Sequence, residues 1–175
     1  MSRTPVPLPP RDMLRRLFHY NRRTGILTRK WQPNVPPRIN LRFAGKPTGS
    51  IARSGHLVVN IGYRRYYAHR IIWKMLYNTE PLEIDHENLN GADNRKRNLR
   101  LSTHQQNVCN AKSRKVKNTH LPKGVNPSRT KGRYVAAIRL AGESSHLGTF
   151  GSPEEAHASY CAAARAMHGK FARFN

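Results

Sequence analysis

Residues 82–110 read LEIDHENLNGADNRKRNLRLSTHQQNVCN, and this stretch decides the fold. Leu82 to His86 reads as a strand, Glu87 to Asn94 as a polar loop around Gly91, and Asn98 to Leu101 as the returning strand. Thr103 then caps a helix, with Gln106 three residues on as its capping-box partner. That helix is predicted over about His104 to Arg114. The order strand, loop, strand, helix is a ββα unit.

The same residues carry chemistry. Asp85 offers a hard carboxylate oxygen suited to Mg2+. His86, its neighbour, faces the other side of a strand unless the strand end twists. Neutral imidazole is the natural base for activating water near pH 7. Asn107, in the first turn of the helix, can add a carbonyl oxygen to the same ion. Two oxygen donors bind a cation weakly and leave positions for phosphate and water. His104 and Asn110 each lie three residues from Asn107 on nearly the same face, and either can replace it as ligand.

Upstream, residues 1–10 are proline-rich and read as a flexible lead. Met13 to Phe18 reads as a short helix, followed by a hairpin turning at Tyr20 to Gly25. Residues 31–50 hold four prolines and two glycines and read as loop. Leu57 to Ile61 and Tyr66 to Ala68 read as strands joined by Gly62 to Arg65, and His69 to Tyr77 as a helix with Ile72, Trp73 and Leu76 on one face.

Downstream, the basic, polar residues 112–122 end in Pro122 and read as a linker. Arg133 to Leu140 alternates, with Tyr134, Ala136, Ile138 and Leu140 on one face and Arg133, Val135, Ala137 and Arg139 on the other. Residues 141–144 turn the chain and His146 to Phe150 returns. Ser152-Pro153-Glu154-Glu155 starts a helix whose stripe is Ala156, Tyr160, Ala163 and Met167.

Charge narrows the class of partner. The 175 residues hold 32 Lys and Arg against 9 Asp and Glu, a formal charge of +23. That excess excludes most metabolic enzymes and points to a polyanion, nucleic acid first and an anionic membrane surface second. The acids are clustered. Glu80, Glu83, Asp85, Glu87 and Asp93 are five of the nine, while 14 basic residues and no acid lie between Asp12 and Glu80. The window either relieves local repulsion or places a metal site within a nucleic-acid-binding surface. Cys109 and Cys161 form no CxxC pair, so neither a cysteine-rich zinc site nor a disulfide framework is expected. No run approaches a membrane span, and the N-terminus lacks the apolar core of a signal peptide. An intracellular setting is the expected default.

Ile84 to Asn88, Asp93 to Arg95, Asn98 to Arg100 and Thr103 to Asn107 together resemble HNH endonucleases of the phage and intron-homing kind. Tyr20 to Lys30, Gly45 to Ile61 and Tyr67 to Arg70 resemble the segments that precede this motif, so the likeness covers about residues 11–115. The resemblance implies a ββα-metal fold. It implies that Asp85 and Asn107 ligate a metal, that His86 is the general base, and that Asn98 braces the loop and orients the histidine. Asn rather than His at position 107 is similar to the variant that uses Mg2+ rather than Zn2+, with Mn2+ able to substitute. By contrast, His69 reads as packing or capping, Asp93 and Asn94 as loop shaping, and Cys109 as a packed helix residue. The six remaining histidines have no evident partner.

Lys123 to Val125, Arg133 to Arg139, His146 to Phe150, Glu154 to Ala156, Tyr160, Ala163-Ala164, Gly169 and Ala172 to Asn175 resemble an AP2 domain over residues 121–175. This implies a three-stranded antiparallel sheet backed by one helix, its open face against the DNA major groove. Arg129, Arg133, Arg139 and His146 are the implied DNA-binding residues, with non-specific phosphate contact the alternative for the first two and the expected role of Lys131. The family's arginines fall on Asn126 and Ser128 here, a glutamate on Ala137 and a tryptophan on His146. The site preference of the plant regulators therefore does not carry over.

The sequence thus predicts an α+β chain: a flexible lead at 1–10, an HNH nuclease domain with N-terminal hairpins at 11–115, a basic linker at 116–122 and an AP2-like domain at 123–175. The expected activity is Mg2+-dependent cleavage of double-stranded DNA, by nicking or double-strand breakage. The expected protein is a monomer or dimer in the cytoplasm, a phage protein in a bacterial host, with no membrane or small-molecule partner. Two other readings compete: a DNA-binding regulator with an inactive nuclease module, and a general RNA-binding protein.

Overall fold

The first helix, α1 (Arg11–Leu17), begins after Pro10, whose carbonyl accepts from the Leu14 amide at 3.1 Å. The structure is a computed structural model describing residues 6–110, 120–140 and 142–174. Residues 1–5 of the lead, the helix end expected near Arg114, residues 116–119 of the linker, Ala141 and Asn175 lie outside the described residues. Contacts divide the chain into two units, Met1–Leu101 and Ser102–Asn175. Among the described residues, no helix is long and apolar enough to cross a membrane.

In the first unit, β1 (Phe18–Tyr20) and β2 (Leu27–Arg29) form an antiparallel hairpin. Its turn is set by Asn21, whose Oδ1 accepts from the amides of Arg23 and Thr24 at 2.9 and 3.2 Å. Residues 31–50, read from sequence as loop, contain α2 (Pro37–Phe43) and the first residue of β3 (Ser50–Ile51). The prolines that suggested a loop instead start the helix, since Pro37 occupies a first-turn position where its missing N–H costs nothing. Asn40, buried on α2, exchanges hydrogen bonds with the Gln32 backbone at 2.9 and 2.7 Å and so ties the loop to the helix.

Strands β4 (Leu57–Ile61) and β5 (Arg64–Tyr67) join β3 in a three-stranded sheet, order β3-β4-β5. The turn between them is tighter than expected: Ile61 pairs with Arg64, leaving Gly62 and Tyr63 as the loop. Gly62 takes φ +59°, which a two-residue hairpin demands. Helix α3 (Ala68–Tyr77) follows and stops at Asn78 in the left-handed conformation. Ile71, Ile72, Trp73 and Met75 of α3 pack with Leu14, Phe18, Leu27, Val59, Ile84 and Leu99 into one core. Strands β6 (Glu83–His86) and β7 (Leu99–Ser102) pair, and Asn98 sits in a 3-10 turn (Lys96–Asn98) rather than opening the strand.

The second unit opens with α4 (His104–Asn110). Its capping box is reciprocal: Gln106 N donates to Thr103 Oγ1 at 3.2 Å and Thr103 N to Gln106 Oε1 at 2.8 Å. Strands β8 (Val125–Pro127), β9 (Tyr134–Leu140) and β10 (Glu143–Phe150) form an antiparallel sheet in the order β10-β9-β8. Helix α5 (Pro153–His168) packs on it, capped by Ser152 Oγ accepting from Glu155 N at 3.2 Å. The buried stripe of α5 is Ala156, Tyr160 and Ala164, not Ala163, and Met167 is exposed. The spacing of four and four follows the ridge that faces Ala136 and Ile138, the buried alternate residues of β9.

Candidate active site

Strand β6 delivers Ile84, Asp85 and His86, all buried. The loop that follows is held by its own asparagine and aspartate side chains. Asn98 Oδ1 accepts from Asn88 N at 3.0 Å and Asn98 Nδ2 donates to Asp93 O at 2.7 Å. Asn88 Nδ2 donates to Asp93 Oδ2 at 2.7 Å, and the Arg95 guanidinium closes on both Asp93 oxygens. That guanidinium holds the Asp93 carboxyl at about 2, well below its usual 3.8. Asn98 therefore braces the loop through the backbone.

The side chain that meets His86 is a different one. His86 Nε2 lies 3.1 Å from Asn94 Oδ1, and Asn94 is only 1% exposed. Asn94 Nδ2 donates to Ala92 O at 3.3 Å, which fixes the amide so that its oxygen faces the imidazole. An amide oxygen only accepts, so Nε2 carries the proton and Nδ1 the lone pair. Burial pushes the His86 pKa below its usual 6.5, a shift partly offset by the Asn94 hydrogen bond. Read from sequence, Asn94 has a role in loop shape alone. Its adjacency to Asp93 in the loop was the available signal, but nothing local shows which amide reaches the histidine.

The first hairpin holds Asn94 in place. Tyr20 Oη donates to Asn94 O at 2.8 Å, and Lys96 N to Arg22 O at 3.2 Å. Gly25, φ +77°, lies so close that a Cβ there would stand 2.5 Å from Arg95 N. Burial pushes the Tyr20 hydroxyl up to about 12, so it stays a donor at neutral pH. Beside this contact, Arg22, Arg23, Lys96 and Arg97, with Tyr77 and Leu99, line an open cleft of about 640 Å3. Four cationic side chains around one cleft suit a phosphate backbone.

Asp85 has another partner. Arg100 of the paired strand places Nε and Nη2 at 2.8 and 2.7 Å from Asp85 Oδ2. Asn107 lies on α4 in the second unit, where its Oδ1 accepts from Ser102 Oγ at 2.8 Å. Of the other ligand candidates on α4, Asn110 is buried and His104 is exposed. The Asp85 carboxylate and the Asn107 amide oxygen are each hard donors of the kind that small divalent cations take.

The loop residues also lie beside a histidine group that the sequence did not reveal. Nitrogens of His56, His69 and His86 lie within 4.8 Å of one another. Thirteen and seventeen residues separate them in sequence, so no local period could signal the group.

On the second unit, Arg139 is exposed on the face of β9 opposite Ala136 and Ile138, and Arg133, just before the strand, is exposed as well. Ala137 pairs with His146 and Arg139 with Ser144, so His146 and Arg139 share that open face. Arg129 is exposed in the β8–β9 connection.

Residues 66–109 match the family model for HNH endonuclease. The match supports an HNH nuclease acting on DNA, and it spans β6, the loop, β7 and most of α4. No curated protein and no solved structure gives a match to the chain.

Proposed function

We propose that this chain is an Mg2+-dependent DNA endonuclease of the phage or homing HNH type, targeted by an AP2-like module. The observation that carries the reading is the His86–Asn94 hydrogen bond inside the segment that matches HNH endonucleases. It gives the imidazole one tautomer and one orientation, while burial favours its neutral form.

In the mechanism, His86 Nδ1 takes a proton from water as its oxygen attacks phosphorus in line with the departing 3′-oxygen. Asn94 keeps the proton on Nε2 and the ring in register. Asn98 and Asp93 keep the loop that carries Asn94 in shape. Asp85 and Asn107 would hold the Mg2+, with Mn2+ able to substitute. When bound, it supplies charge stabilisation to the phosphoryl and leaving oxygens. The departing 3′-oxygen takes its proton from solvent, so the products carry 5′-phosphate and 3′-hydroxyl ends. One such site per chain gives a nick, and two chains together a double-strand break.

Arg22, Arg23, Lys96 and Arg97 bind the DNA backbone in this reading. Arg139 and His146 on the open face of β9 and β10, with Arg129 and Arg133 beside it, bind a second stretch of duplex. Tethering the two modules raises the local concentration of the weaker one on DNA. The protein acts in the cytoplasm of a bacterial host.

A second reading, a DNA-binding regulator with an inactive nuclease module, draws on the Arg100–Asp85 pair, since a guanidinium at the carboxylate competes with a cation. Plasmid relaxation with Mg2+, with EDTA and with His86→Ala separates the two. The nuclease reading expects Mg2+-dependent nicking that is lost in His86→Ala while gel-shift binding is retained. Site-specific binding without cleavage by the wild type selects the regulator.

A further inference from the structure

Three histidines from three elements converge beside the loop: His56 from the turn before β4, His69 from the first turn of α3, and His86 from the end of β6. Their ring centroids are 5.1 to 5.5 Å apart pairwise. His69 is only 7% exposed, yet its Nδ1 has no hydrogen-bond partner. A buried ring nitrogen without a partner is rarely tolerated, and a ligand that accepts its lone pair satisfies it.

We propose that His56, His69 and His86 bind a transition-metal ion of the Zn2+ class. The trio contains no carboxylate, and three imidazoles select Zn2+, Co2+ or Ni2+ over Mg2+. Two of the rings are already oriented from outside. His56 Nδ1 lies 3.2 Å from Ser54 Oγ, and His86 Nε2 meets Asn94 Oδ1. Such outer partners are what fix the rings of metal-bound histidines. His56 is also seated sterically, since a Cβ on Gly91 would lie 2.8 Å from His56 Cδ2. A Zn–N length of about 2.0–2.1 Å places tetrahedral ligands about 3.3 Å apart, so each pair of nitrogens closes by at most about 1.5 Å on binding. The fourth position is then open to water or to a phosphate oxygen.

The site has a consequence that rests on the nuclease reading above. His86 is both a ligand here and the general base there. An ion on the trio occupies the imidazole lone pair that must accept the proton of water. Zn2+ is therefore an inhibitor of Mg2+-supported cleavage.

The test uses the full chain, freed of metal and titrated with Co2+ in the presence of excess Mg2+. The expected result is one bound Co2+ with the intense visible absorption of tetrahedral coordination, displaced by Zn2+. Binding falls at least about tenfold in His56→Gln and in His69→Gln. His56 is the less buried of the two, so its variant keeps the test sharp if loss of His69 unfolds the chain, and far-UV circular dichroism checks each fold. Weak, six-coordinate Co2+ absorption, or unchanged tetrahedral absorption in a folded His56→Gln, overturns the proposal. A tetrahedral Co2+ site in a protein that never nicks DNA upholds the metal site and ends the nuclease reading. Mg2+-dependent nicking without such a site does the reverse.

Discussion

Asn94 Oδ1 accepts from His86 Nε2 at 3.1 Å, and this one contact joins the conformation of a polar loop to the protonation of a buried imidazole. The loop is tied to itself through Asn88, Asp93 and Asn98, and to the first hairpin through Tyr20. A shift of the hairpin is therefore felt at the histidine. Asn94 acts through His86 and is a positioning residue.

Asn94→Ala is expected to lower kcat by about 10- to 100-fold with little change in KM, the usual scale for losing a partner that orients a histidine. Asn94→Asp keeps an acceptor oxygen and restores most of the loss. Nicking kinetics on a supercoiled plasmid, with thermal melts of each variant, measure this. Equal losses in Ala and Asp variants of wild-type stability would mean that the acceptor is not what matters.

Gly25 limits the same arrangement sterically. A Cβ there meets the Arg95 backbone, and the φ of +77° disfavours any other residue. Gly25→Ala should cost roughly 2–3 kcal/mol of stability, the scale of left-handed strain plus a displaced contact. A chemical-denaturation midpoint unchanged from wild type would show that the hairpin and loop part freely.

Asp93 gives a pH dependence with a defined sign. Its carboxyl titrates at about 2 in the folded chain and at an ordinary 3.8 when unfolded. The stabilisation it brings is therefore complete above about pH 4 and disappears as pH falls toward 2. Asp93→Asn should lower stability by about 1 kcal/mol at pH 7, the upper end for a solvent-screened ion pair. Thermal melts from pH 7 to pH 2 should show wild type and variant converging at the acid end. A constant gap across that range would place the effect of Asp93 in packing instead of charge.

Local signals were the ones the sequence displayed. Thr103 and Gln106 form their capping box, Ser152 caps α5, and β1 and β2 pair about the expected turn, because each depends on residues a few positions apart. Helix α2 was hidden because Pro36 and Pro37 read as loop residues when they stand just before and just inside a helix start. The stripe of α5 was misplaced by one residue because Ala163 and Ala164 are chemically identical, and only packing on β9 chooses between them. At the site, Asp85 and His86 were visible as a pair on one strand. Their partners Arg100 and Asn94, and the approach of His56 and His69 to His86, come from long-range folding that no periodicity encodes.

The basic cleft gives a prediction that salt dependence can read. Arg22 and Arg97 both line it. If each meets one phosphate, the double variant Arg22→Ala/Arg97→Ala should reduce the slope of log K against log salt by about 2, at about 0.9 per phosphate on duplex DNA. Binding should weaken alike on all sequences, since phosphate carries no sequence information. Titrations of a fluorescent duplex between low and moderate salt measure the slope. An unchanged slope would move the DNA backbone off this cleft.

Arg139 should behave in the opposite way. It is exposed on the open face of β9, opposite Ser144 of β10 and on the same face as His146, which pairs with Ala137. A side chain that reads a guanine edge discriminates by about 1–3 kcal/mol, which is about 5- to 150-fold in affinity. Arg139→Ala should therefore weaken cleavage of a site selected from random duplexes by about that factor, while cleavage of random DNA falls by no more than the loss of one charge allows. Selection from a randomised library with the wild type supplies the site, and competition between that site and random duplex at fixed salt gives the ratio. Equal losses on both substrates would make Arg139 a phosphate contact and leave sequence preference to other residues of the sheet.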